Sequence, residues 1–133
     1  MLSLSEFRPY FPERLHRFPR LMIREYLQYK ILGILYESSF ATDACFLGET
    51  CLRIVHGNHR FSEDLDFDNL SLNEDEFEDV FGEIQKGLQR EGYQVELKTV
   101  MKGAWHCNIK FPGLLFEEGL SGHREEKILY RVY

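Results

Sequence analysis

The 133-residue sequence is poor in cysteine and proline, has no long apolar run and carries no surplus of positive charge. The three cysteines, Cys45, Cys51 and Cys107, are odd in number and form no Cys-x-x-Cys pair. That argues against a disulfide framework and a zinc site, and we expect reduced, mostly buried thiols. No stretch is apolar for long enough to cross a membrane and no leader is read in the opening residues, so we expect a cytoplasmic protein with no membrane partner. The formal net charge of -6 argues against a surface that is basic all over, the profile of a general nucleic-acid binder. A local basic patch is still present, because Arg8, Arg14, His16, Arg17, Arg20 and Arg24 gather near the N-terminus. Residues 1–18 are therefore read as a basic N-terminal segment, and the length suits one domain with a modest core.

What the chain does have is periodicity that changes along its length. Pro19 suits the first turn of a helix, and Leu21, Tyr26, Leu27, Ile31, Ile34 and Leu35 follow at helical spacing. ACFLG reads as a buried strand, ETCLRIVHG as a short helix and SEDLDFD as the next strand. Asn73 with Glu76 makes a capping box. Phe77, Val80, Phe81, Ile84 and Leu88 then line one helical face, and Gly92 ends that helix. Two alternating runs, one with Tyr93, Val95 and Leu97, the other with Trp105, Cys107, Ile109 and Phe111, flank Lys102 and Gly103 and predict a hairpin. PGLLFEEGLSG is a loop or helical turn, and KILYRVY a last strand. The order predicts an α/β (α+β) chain with a mixed sheet flanked by helices.

The strand SEDLDFD raises the chemical question. Alternation puts Asp64, Asp66 and Asp68 on one face, with Leu65 and Phe67 on the other. Ionised carboxylates so close repel one another, and a divalent cation with its preference for hard oxygen ligands relieves the repulsion. Such acids, with substrate phosphates, can hold ions that polarise a phosphoryl group. Upstream, in FLGET, strand gives way to helix at Gly48. A glycine there lets backbone approach a phosphate, the helix start favours an anion, and Thr50 can add a hydroxyl. Taken alone, a glycine before a helix is usually a turn and a DLD tripeptide often a solvated edge; the two together at this spacing are more specific.

These residues resemble the AbiEii/AbiGii-type nucleotidyltransferases of the DNA polymerase β-like superfamily. The family run is a GGT or GGS turn, a helix with a Leu-Arg pair, then R-F-S-x-D-L-D-F. Here it reads Gly48-Glu49-Thr50, Leu52-Arg53 and Arg60 to Phe67. The segments REYLQYKILGILYES and NIKFPGLLFEEGLSGHREEKIL are also similar to family sequence. The resemblance implies a nucleotidyltransferase-like domain over 19–133 that moves a nucleoside monophosphate from an NTP to an RNA (such as tRNA) or protein acceptor. It implies Mg²⁺ or Mn²⁺ held by Asp64 and Asp66, the catalytic pair. Gly48, Thr50, Arg60 and Ser62 would contact the nucleotide. Many members are toxins of type IV toxin–antitoxin or abortive-infection systems, which implies a cognate antitoxin.

The sequence departs from the family run in two places. Glu49 replaces the second glycine, setting an acid beside the expected triphosphate. The third carboxylate, which relatives carry just after the equivalent of KILYR, would fall where the chain reads Arg131-Val132-Tyr133. The domain is therefore expected to be incomplete at its C-terminus, with Glu96 as a substitute acid. An alternative reading is a catalytically degenerate remnant that serves as a binding or regulatory module. His56 and His59, in HGNH, are a weaker zinc alternative.

Overall fold

A computed structural model describes residues 3–42, 44–57, 64–102, 105–119 and 129–132. The N-terminal segment is broken by Pro9 and Pro12, which allow only short helical pieces. These are α1 (Leu4–Phe7) and two 3₁₀ turns, Arg8–Tyr10 and Glu13–Leu15. It is nevertheless anchored. Phe7 and Leu15 are buried, and the Phe7 ring stacks on Tyr26 with centroids 4.5 Å apart.

The long helix α2 (Pro19–Glu37) starts at its proline as expected. Its buried side chains include Met22, Ile23, Leu27, Ile31, Leu32 and Leu35, whereas Tyr26 and Ile34 pack at the margin of the core. The stripe is wider than the apolar spacing alone suggests because α2 is covered from two sides. The N-terminal segment lies against Tyr26, and the helix α4 (Glu74–Arg90) lies against Ile34. In α4, Asn73 Oδ1 accepts from the Glu76 amide at 2.9 Å while Glu76 Oε1 accepts from the Asn73 amide at 3.3 Å. This is the predicted capping box. Phe77, Val80, Phe81, Ile84 and Leu88 are all buried, and Gly92 follows at φ 95.

Between these helices lie β1 (Ala44–Leu47), α3 (Gly48–Ile54) and β2 (Asp66–Asn69). After α4 come β3 (Glu96–Val100), β4 (His106–Lys110), the helical turn α5 (Leu114–Glu117) and β5 (Leu129–Val132). β1 and β2 pair antiparallel, and β3-β4-β5 form an antiparallel three-stranded sheet. β2 and β5 are in contact. Cys107, Ile109 and Phe111 point into the core, and Trp105 meets Phe77 edge-on at 5.5 Å. The expected α+β chain is what forms, with the hairpin and final strand in place; among the described residues every strand pair is antiparallel and the strands fall into two sheets, which corrects the expectation of one mixed sheet. Among the cysteines only Cys107 is buried. All three are free, but Cys45 is exposed, which corrects the expectation of mostly buried thiols.

Candidate functional site

Strand register builds the site. Leu47, the last residue of β1, sits opposite Asp66, the first of β2, and Phe46 sits opposite Phe67. On the inner face, Leu65 and Phe67 are buried, and the Phe46 and Phe67 rings lie 5.4 Å apart. A one-residue slip would turn this apolar face outward, so burial fixes the register. Asp64 and Asp66 are half-buried, and Asp64 lies just ahead of β2 rather than within it; the Asp68 side chain lies outside the described residues.

Since Asp66 faces the end of β1, its carboxylate lies against the turn that follows. Gly48 adopts φ +85, and a Cβ added to it would meet Asp66 Oδ2 at 2.6 Å and Asp66 Cβ at 3.0 Å. Only glycine satisfies both the left-handed backbone and the close approach. Two residues on, Thr50 is fully buried and its hydroxyl donates to the Asp64 backbone carbonyl. Gly48 and Thr50 thus each engage one of the two acids' own residues, tying the turn to the acidic strand. Thr50 faces inward, toward Asp64, and not toward the surface.

One contact that the sequence reading missed holds α3 in place. Arg53, of the Leu-Arg pair, donates to Glu25 on α2 through Nε at 2.6 Å and Nη2 at 3.1 Å. The Glu25 side chain is 3% exposed, and its hydrogen bond raises the Arg53 pKa above the ordinary guanidinium value. A signal for it exists: Glu25 falls among Met22, Ile23, Leu27 and Gln28 on the buried side of α2. A carboxylate in such a stripe requires a charged partner.

Arg60, Ser62 and the Glu49 side chain lie outside the described residues, as does His59. Glu96 is exposed at the start of β3, with β4 and β5 between it and the side on which β2 lies. The structure does not bring it to Asp64 and Asp66. Among the described residues no group of three or more His, Cys, Asp and Glu gathers as a metal site. Two half-buried carboxylate residues, one of them packed against a backbone turn, nevertheless fit Mg²⁺ or Mn²⁺, which is commonly held by one or two acids plus substrate phosphates.

A family model described as nucleotidyl transferase AbiEii toxin, Type IV TA system, matches residues 30–129. The chain belongs to this family. No curated protein matches it. Among solved structures it is similar to JHP933 from Helicobacter pylori, with TM-score 0.57 and 19% identity, covering 85% of this chain and 42% of that one. A second H. pylori structure, provisionally assigned as a nucleotidyltransferase, gives the same TM-score of 0.57 and 19% identity over 85% of this chain and 44% of its own. The shared property is the fold, and the chain spans less than half the length of those structures.

Proposed function

We propose that this chain supplies the metal- and nucleotide-binding part of a nucleotidyltransferase acting as a type IV toxin in the cytoplasm. The observation that carries the reading is the Gly48–Asp66 contact. It sets a carboxylate directly beside a left-handed glycine turn, where a triphosphate and its cation would be held together. In the reaction the oxygen of an acceptor hydroxyl on RNA or protein forms a bond to the α-phosphorus, and the hydroxyl proton is released to solvent. The bond from that phosphorus to the bridging oxygen breaks, and pyrophosphate leaves. Asp64 and Asp66 would hold Mg²⁺ or Mn²⁺, which when bound supplies charge to the phosphoryl oxygens. Gly48 opens the turn to phosphate, with Arg60 and Ser62 as further nucleotide contacts. Thr50 supports the site from beneath by fixing Asp64. A cognate antitoxin completes the system to which the family belongs.

One observation favours a second reading, a binding module without turnover. Within the three-stranded sheet, β5 is in contact with β2, and its described residues Leu129–Val132 carry no carboxylate.

Binding and turnover are separable by experiment. Mn²⁺ with an NTP is expected to raise the melting temperature through ligand linkage, and Asp64→Asn/Asp66→Asn to remove the rise. Transfer is read as incorporation of α-labelled NTP into total RNA and protein. Labelling that disappears in Asp66→Asn supports the transferase. Stabilisation without labelling supports the binding module, and a thermal shift that survives the double variant places the site elsewhere.

A further inference from the structure

Charge is distributed unevenly in this chain. Residues 8–24 hold five arginines and one glutamate, a formal +4, while all other positions hold eleven basic and twenty-one acidic side chains, a formal −10. The next acid, Glu25, is engaged by Arg53. Within the basic stretch, Arg17 and Arg20 line an open groove of about 450 Å³ with Phe18, Pro19 and Leu21. Both arginines are exposed. The Phe18 ring is 37% exposed and carries the Arg17 guanidinium 4.8 Å from its centroid. Tyr10, on the preceding 3₁₀ turn, is 82% exposed. The backbone displaying these groups is pinned, with Leu15 buried and His16 Nε2 3.0 Å from the Phe11 carbonyl oxygen.

Guanidinium groups match phosphate oxygens in a planar fork. Exposed aromatic rings beside them offer a stacking surface for bases, which a single strand presents and a duplex hides. The acidic remainder of the molecule would repel a polyanion, so docking is confined to this patch. Arg24 precedes Glu25, which through Arg53 ties α2 to the helix that begins at Gly48.

We propose that the Arg17–Phe18–Arg20 groove is a docking surface for single-stranded RNA. It rests on the nucleotidyltransferase reading in that the docked strand would be the acceptor. The groove would hold the strand through its phosphates, with a base on the exposed aromatic surface.

The test is fluorescence anisotropy of a labelled single-stranded RNA of about a dozen nucleotides, the site size of such grooves, titrated with the whole chain across a salt series. Wild type should bind with a steep salt dependence. Arg17→Ala/Arg20→Ala should lose about tenfold or more and flatten the log–log salt slope by about 1.4, the release expected for two phosphate contacts on a single strand. Phe18→Ala should weaken binding without changing the slope, and Arg17→Lys/Arg20→Lys should keep the slope. The Mn²⁺–NTP thermal shift, measured on the same variants, should not move. If that shift is absent from wild type while the RNA results hold, the nucleotide site fails and the docking surface stands. Absence of RNA binding, equal binding by the double alanine variant, equal affinity for DNA of the same sequence, or binding to anionic vesicles in place of RNA would each overturn the proposal.

Discussion

At the scale of single residues the candidate site is governed by what Gly48 lacks. Its positive φ and the Asp66 carboxylate both exclude a side chain. Gly48→Ala is expected to destabilise the fold by about 2 kcal/mol, the left-handed penalty plus the displacement of Asp66, and to abolish the metal–nucleotide thermal shift. Asp66→Asn should abolish the same shift with little loss of stability, since the side chain remains in place and only its charge is gone. Urea unfolding of both variants separates the effects, and equal stability of Gly48→Ala and wild type would mean that the turn can relax. The acids and the glycine were legible in the sequence because alternation and a strand–turn–helix change are local patterns. The inward hydrogen bond of Thr50 was not, because it depends on where a strand fourteen positions later returns.

At the scale of elements, α2 and α4 approach closely where Gly87 faces Ile34. A Cβ at Gly87 would lie 2.7 Å from Ile34 Cδ1 and 3.1 Å from Cγ1. Two effects oppose each other in Gly87→Ala. Helix propensity favours alanine by about 1 kcal/mol, while overpacking costs about 1–3 kcal/mol. Overpacking should win, because three atoms of Ile34 fall within 3.4 Å and a rotation that moves one leaves the others. Ile34→Val removes Cδ1 and should recover much of the loss, so the double variant is expected to be more stable than Gly87→Ala alone. A double-mutant cycle by denaturant melts measures this coupling, and strict additivity would contradict the contact. The helices themselves were readable from apolar spacing, a proline start and a capping box. Their mutual contact was not, since a glycine inside a helix has the same sequence signature whether it faces a neighbour or water. The Glu25–Arg53 bond joins helices 28 residues apart, and only the presence of an acid in a buried stripe hints at it. The segment 1–18 has no clear period because its pieces are too short to show one, yet Phe7 and Leu15 are as buried as the core.

At the scale of the whole molecule, buried acidic protons contribute stability that is lost at alkaline pH. Burial pushes the Cys107 thiol up to about 12, and burial first, with Tyr26 nearby, also raises the Tyr93 hydroxyl. Both groups keep their protons in the folded chain after the unfolded chain has released them, so above the unfolded values the unfolded state binds fewer protons. The Cys107 contribution is therefore fully present below about pH 9 and is lost progressively as pH rises toward 12. The urea midpoint should fall between pH 8 and 10.5, and the fall should be shallower in Cys107→Ala. A midpoint independent of pH over that range would show that the thiol is not enclosed as described.

The contact between Gly48 and Asp66 also bears on how kinship should be read. The glycine is demanded by the packing of its neighbour, whether or not a nucleotide is ever turned over. A descendant that had lost its chemistry would still be held to that glycine for as long as it kept the acid. Retention of the pair across related chains would therefore record inheritance of a shape, and positions that touch nothing else in the protein would be the better witnesses to a living enzyme.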